Sequence, residues 1–294
     1  MLSADVLRQV RRLHLRARRL VQSLLGGEYH SAFKGAGLSF EEVREYQPGD
    51  DVRTIDWNVT ARVGLPFIKR FVEERELTLL LVVDVSASTR FGTGTMTKRA
   101  AAAELAALLA LCAAGNNDRV GLVAFTSEVE RFVPPNKGPR HVLRMLRDIL
   151  AFEPHNPGTD LAAALDYVVK VQRRRAIVFV LSDFMSNGYE KAFRRAARKH
   201  DLVAVRTVDP REKTWPDAGL VWFDDAETGR QLLIDTSDPT VRSRFENVVA
   251  ERASLFMKTA RGAKADVIEV GTDGGHFDAL LGFFRKRDRR RRHG

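Results

Sequence analysis

From residue 77 onward, short apolar runs alternate with longer segments of helical spacing. Residues 77–83 and 176–181 are continuous apolar runs, the pattern of parallel strands covered on both faces. Residues 119–125, 202–208 and 266–270 read as further strands, and 128–133 as a hairpin edge returning beside 119–125. Between them, residues 100–114, 140–150, 161–172, 189–199, 240–261 and 277–284 are helical by propensity or spacing. Residues 220–223 and 232–234 flank a turn-rich stretch, 224–230, and predict a small hairpin insertion. Strands that alternate with helices predict an α/β fold with a doubly wound, mostly parallel sheet. No internal repeat is present.

Ahead of residue 77 the pattern is less regular. Val6, Val10, Leu13, Leu20, Val21, Leu24 and Leu25 recur at helical spacing with arginines between them, which predicts an amphipathic helix over 3–25. Packing against the protein's own body is the default for such a helix, and peripheral membrane contact stays open. Gly26-Gly27 ends it. Residues 28–75 mix short β-like pieces with Gly35, Gly37 and a turn at Gln47-Pro48-Gly49-Asp50-Asp51. The expected division is an N-terminal helix and extension over 1–76, an α/β domain over 77–284, and a basic tail over 285–294.

Charge sharpens this picture. The net charge is +10, yet residues 1–25 hold six arginines against Asp5 alone and 285–292 hold seven Lys/Arg against Asp288 alone. The remainder is almost neutral, whereas nucleic-acid-binding folds usually spread basic residues over a face of the folded body. Nucleic acid is therefore not the expected partner. The single cysteine, Cys112, excludes an intramolecular disulfide and lies in an Ala/Leu-rich run, where a small core residue is expected. No stretch reaches the ~18 consecutive apolar residues of a membrane span, and the arginine-interrupted N-terminus does not read as a signal peptide. The expectation is a cytoplasmic protein.

Two acids stand where ligands bind in such sheets, beyond the carboxyl ends of the strands. Asp84 follows the first apolar run directly, and Asp183 follows residues 176–181 after one serine. An acid there is costly to desolvate unless paired, and no cation neighbours either one in sequence, so a bound metal is the expectation. Ser86 and Ser88 add hydroxyls at alternate positions, and Thr159 adds a third just before a helix. Such hard oxygen donors suit Mg²⁺, Mn²⁺ or Ca²⁺ rather than zinc. Asp160 is accounted for by the helix N-terminus it opens. Ser86 and Ser88 could merely cap the turn after the strand. His30, His141, His155 and His276 share no metal-ligand spacing. The glycine-rich 92–98 stretch lacks the order of a P-loop.

At these residues the chain resembles the metal-ion-dependent adhesion site of von Willebrand factor A domains. The resemblance implies that Ser86, Ser88 and Thr159 coordinate directly, that Asp84 and Asp183 act mostly through water, and that a partner protein's carboxylate takes the open position. Upstream, Arg44-Glu45-Tyr46-Gln47-Pro48-Gly49-Asp50-Asp51 and Arg53-Thr54-Ile55-Asp56-Trp57, followed by Thr60-Ala61-Arg62, resemble the domain of unknown function 58 family. Its members commonly accompany MoxR-type AAA+ ATPases. For Arg53, Asp56, Trp57 and Arg62, an ion pair beside a buried tryptophan is the expectation.

The expected function is a non-enzymatic, metal-dependent interaction module, an adaptor for a MoxR-type ATPase in protein maturation or complex assembly. Two alternatives are a metal-dependent phosphohydrolase using Asp84 and a nucleic-acid binder acting through the basic termini. The first would want a second acid where Ser86 stands.

Overall fold

The computed structural model describes residues 26–33, 39–72 and 76–293. The amphipathic helix expected over 3–25 lies outside the described residues. Two units result, one from residues 26–32 and 78–293 and the other from those between 33 and 77. The larger unit takes helix α1 (Gly26–Phe33) as far as Ala32.

In the smaller unit, β1 (Ser39–Glu45) pairs antiparallel with β2 (Phe67–Val72), and the short helix α2 (Trp57–Val63) lies between them in sequence. The expected turn is pinned by Asp50. Its carboxylate takes both terminal nitrogens of Arg44, at 3.0 and 2.7 Å, and the Gln47 amide at 2.8 Å. Asp56 caps α2 by accepting from the amides of Asn58 and Val59. That accounts for Asp56 locally, but Trp57 is 69% exposed. The expectation of a buried tryptophan fails because Trp57 is the first residue of α2, where the cap and not the ring fixes the helix start.

The larger unit is built on six strands: β3 (Thr78–Asp84), β4 (Arg119–Phe125), β5 (Val129–Asn136), β6 (Ile177–Ser182), β7 (Asp201–Val208) and, after the hairpin of β8 (Leu220–Asp224) and β9 (Gln231–Asp235), β10 (Asp266–Gly271). Their order is β10-β7-β6-β3-β4-β5, parallel except for β5, which returns antiparallel beside β4. The expected doubly wound, mostly parallel sheet is thus present. Leu79–Val83 and Ile177–Leu181 are buried along their whole lengths, which is why both read as unbroken apolar runs.

The connecting helices are α3 (Lys98–Gly115), α4 (Pro139–Ala151), α5 (Leu161–Val171), α6 (Glu190–Lys199), α7 (Pro239–Gly262) and α8 (His276–His293). α3 touches α4 and α8, while α5, α6 and α7 pack in sequence against one another. α3 is rich in alanine and buried over most of its length, so its backbone can lie close to the strands. Cys112 is fully buried in it, and burial pushes its thiol up to about 12. It is a core residue, as expected.

α8 corrects the expected basic tail, because the helix continues through the arginine run to His293. Its arginines are partnered. Arg287 bridges Asp201 and Asp266 and also donates to the Ala32 carbonyl, Arg290 reaches Asp266, and Arg285 reaches Glu28. Phe284, on the same helix, packs edge-on against the buried Tyr29 of α1 at 5.7 Å. Among the described residues, no helix is long and apolar enough to cross a membrane.

Candidate metal centre

The chain leaves β3 toward β4 on one side, and leaves β6 toward β7 on the other. The crevice between the carboxyl ends of β3 and β6 is therefore the topological switch point of the sheet. Register places the two acids there. Val83 pairs with Leu181, so Asp84 and Asp183 emerge from neighbouring strands one and two residues beyond the last strand pairing. Both are buried, at 1% and 6% exposure.

Asp84 is held by neutral donors. Its Oδ1 accepts from the Ser86 amide at 3.0 Å, and its Oδ2 from the Ser182 hydroxyl at 2.8 Å. Burial pushes its carboxyl up to about 6, and the charge of Asp183 adds to the rise against the hydrogen bonds of Ser86 and Ser182. The Ser86 hydroxyl makes no cap bond to the 3₁₀ turn Ala87–Arg90 that it precedes. It lies 3.0 Å from the Ser88 hydroxyl. Simple capping therefore does not explain this serine pair. Asp160, by contrast, caps α5 by accepting from the Ala163 amide, which accounts for that acid without metal.

Asp183 is followed by Phe184 at φ 57°, a left-handed conformation that costs a non-glycine residue energy. Burial of Phe184 against Phe256, ring centroids 4.5 Å apart, and against Tyr189 and Phe193 holds it there. The turn brings the Met185 amide to Asp183 Oδ1 at 3.0 Å.

The other oxygen of Asp183 corrects the sequence reading. Lys98, the first residue of α3, donates to Asp183 Oδ2 at 2.7 Å and to Glu212 Oε1 at 2.5 Å, and its side chain is 1% exposed. Burial alone would lower the ammonium's pKa, but the charges of Asp183 and Glu212 raise it above the ordinary lysine value. A cation thus does pair with one of the two strand-end acids, from 85 residues away.

The glycine-rich stretch ahead of Lys98 is the brace for this pair. A Cβ at Gly92 would meet the Met96 carbonyl oxygen at 2.4 Å, and one at Gly94 would meet that of Thr272 at 2.6 Å, so neither position accommodates a side chain. Asp209 clamps the loop by accepting from the Thr93 amide and hydroxyl, and it also takes the Thr272 hydroxyl and the Arg211 amide. Burial pushes the Asp209 carboxyl up, and these donors outweigh it and hold it down at about 2.

Thr159 comes alongside through the backbone, where the Ala87 amide donates to the Pro157 carbonyl at 2.9 Å. Its hydroxyl donates to Glu227 Oε1 at 2.6 Å. Glu227 sits in the loop of the β8–β9 hairpin and was not legible in the sequence as part of the site. Beneath the same hairpin a cavity of about 470 Å³ is lined by Ser88, Met185, Glu212, Trp215, Phe223 and Ala226, among others.

Among the described residues, no three of His, Cys, Asp and Glu gather to hold a metal by themselves. A cation here depends on the hydroxyls, and the donor set fits a hard divalent ion. Among the described residues, the one cation in hydrogen-bond contact with Asp84, Asp183, Glu212 or Glu227 is Lys98, which leaves an excess of negative charge beside three hydroxyls.

The family described as "Protein of unknown function DUF58" matches residues 42–254, and the chain belongs to that family. The uncharacterized protein Rv1480 of Mycobacterium tuberculosis (strain ATCC 25618 / H37Rv) is 34% identical over 95% of this chain and 89% of its own length. The uncharacterized protein MAV169 of Mycobacterium avium is 29% identical over 53% of this chain and 94% of its own length. Among solved structures, the conserved hypothetical protein BatB from Bacteroides thetaiotaomicron is similar at 16% identity and a TM-score of 0.48, over 72% of this chain and 99% of that one. The SpRpn10 VWA domain is similar at 11% identity and a TM-score of 0.42, over 71% of this chain and 95% of that one.

Proposed function

We propose, taking membership of this family and the crevice between β3 and β6 as premises, that the chain is a non-catalytic, metal-dependent protein-interaction module of the von Willebrand factor A type. The observation that carries this reading is the pair of buried acids, Asp84 and Asp183, beside the Ser86 and Ser88 hydroxyls 3.0 Å apart. Ser86, Ser88 and Thr159 would hold Mg²⁺, or Mn²⁺ or Ca²⁺, directly, with Asp84 and Asp183 acting through water. The cation would supply a Lewis-acidic position for a carboxylate from outside the site.

The partner is a protein that presents an acidic side chain. The family resemblance points to a MoxR-type AAA+ ATPase, with the chain as an adaptor in maturation or assembly of another protein. A hydrolytic role has less support. Ser86 occupies the position of a second acid, and the contacts of Asp84 are a serine amide and a serine hydroxyl, neither of which is a general base.

Calorimetric titration with Mg²⁺ and Mn²⁺ tests the reading. One ion should bind to the wild type and none to Asp84→Ala. Equal uptake by both proteins would move the metal elsewhere and remove the basis for the proposal.

A further inference from the structure

The hairpin of β8 and β9 is an insertion between β7 and β10 that adds nothing to the main sheet. Its root is anchored. Thr236 takes the Ala218 amide and donates to the Gly219 carbonyl, and Trp215 stacks on Phe223 and Phe245 with centroids 4.5 and 3.8 Å away. Its loop is shaped by Asp225, whose carboxylate accepts from the amides of Glu227 and Thr228 and from the Thr228 hydroxyl. These contacts explain the turn without Glu227's side chain. That side chain instead leaves the hairpin and ends on the hydroxyl of Thr159.

We propose that Glu227 is a carboxylate supplied by the protein itself to its own metal centre, taking the position that a partner's acidic side chain must occupy. The proposal rests on the metal-site reading above. Three observations carry it. A carboxylate on an otherwise exposed hairpin loop is free to turn toward solvent, yet Glu227 is half-buried and turns to a hydroxyl assigned to the metal. The contact is short, at 2.6 Å, as expected for a hydroxyl donating to a carboxylate. The second oxygen, Oε2, makes no hydrogen bond within the described residues and lies 4.0 Å from where a Cβ on Gly158 would sit, beside the same loop.

The consequence is a closed resting state. A two-stranded hairpin is only marginally stable alone, so one carboxylate contact at its loop can decide whether it stays down. Its loop also walls the 470 Å³ cavity through Asp224 and Ala226, while Ser88 lines the same cavity from the metal side. Release of Glu227 would open the cation and this apolar cavity together. The partner that fits is therefore an acidic side chain flanked by an apolar one, and it must outcompete Glu227.

Mn²⁺ is the probe, because the proton relaxation of its exchangeable waters reports how many coordination positions are open. The full chain and Glu227→Ala are each titrated with Mn²⁺, and acetate is then added as a free carboxylate. We expect the variant to bind Mn²⁺ on the order of tenfold more weakly, to show the larger relaxation enhancement, and to lose it on addition of acetate while the wild type barely responds. Equal enhancement and equal acetate response in both proteins would overturn the role of Glu227 and leave the metal centre standing. Absence of Mn²⁺ uptake from both proteins would overturn the centre, and the role of Glu227 with it.

Discussion

Lys98 donates to Asp183 Oδ2 at 2.7 Å across 85 residues of sequence, and both side chains are withdrawn from solvent. The same ammonium holds Glu212. This one tethered charge makes it possible to fold a crevice that otherwise gathers only acids. Lys98 approaches from the start of α3, and among the described residues it contacts none of the Ser86, Ser88 and Thr159 hydroxyls.

Replacing Lys98 by Met should therefore destabilise the metal-free protein strongly, by about 3–5 kcal/mol, the usual cost of stranding a buried partner. Added Mg²⁺ should recover part of the loss, since a ligand bound only by the folded state stabilises it by mass action. Thermal unfolding with and without Mg²⁺ measures both. A variant as stable as the wild type would mean that the Lys98 pair contributes nothing net.

Asp84→Asn should act in the opposite direction. The amide keeps an acceptor for the Ser86 amide and can donate to the Ser182 hydroxyl, while one of two adjacent buried charges disappears. The metal-free variant should be more stable than the wild type by about 1–3 kcal/mol at neutral pH, and it should no longer take up Mg²⁺. Chemical denaturation in the presence of a chelator provides the test. A destabilised variant would show that the carboxylate is structurally required even without metal.

His200 carries a pH dependence. It is 1% exposed at the end of α6, and neither ring nitrogen has a hydrogen-bond partner among the described residues. Burial lowers its pKa to about 4, assisted by the charges of Lys199 and Arg175. The unfolded chain takes up this proton near pH 6.5 and the folded one only near 4. Stability should therefore fall as pH drops through that window, by about 3 kcal/mol in all. His200→Leu should flatten the slope of the urea midpoint between pH 6.5 and 4.5. An unchanged slope would assign the acid sensitivity to other groups.

How much of this was legible in the sequence depends on the distance over which each signal acts. The strands at 79–83 and 177–181 announce themselves because both faces are covered and no polar residue interrupts them. Asp84 and Asp183 are legible for the same reason, as the first acids beyond those runs. Lys98 and Glu227 are not. One reads as a polar residue opening a helix and the other as a turn residue, and their partners lie 85 and 68 residues away. Ser182 reads as a spacer, although its hydroxyl holds Asp84. The extent of α8 was hidden because a run of arginines has no apolar period. Acids on α1, β7 and β10 turn that run into an ordered helix.

That pairing has a testable consequence for the arginines of α8. Arg287 is 16% exposed, contacts Asp201, Asp266 and the Ala32 carbonyl, and so ties α8 to β7, β10 and α1 at once. Among the described residues Arg292 pairs only with Asp288 one turn back, at 70% exposure. Partly buried, multiply bonded charges are worth far more than exposed i,i+4 pairs. Arg287→Ala should therefore cost about 2–3 kcal/mol and Arg292→Ala no more than about 0.5. Urea denaturation of the two variants decides between two roles for the segment. Unequal costs in this order make it a structural clasp. Equal, negligible costs would return it to the role of a solvated basic surface, open to an anionic partner.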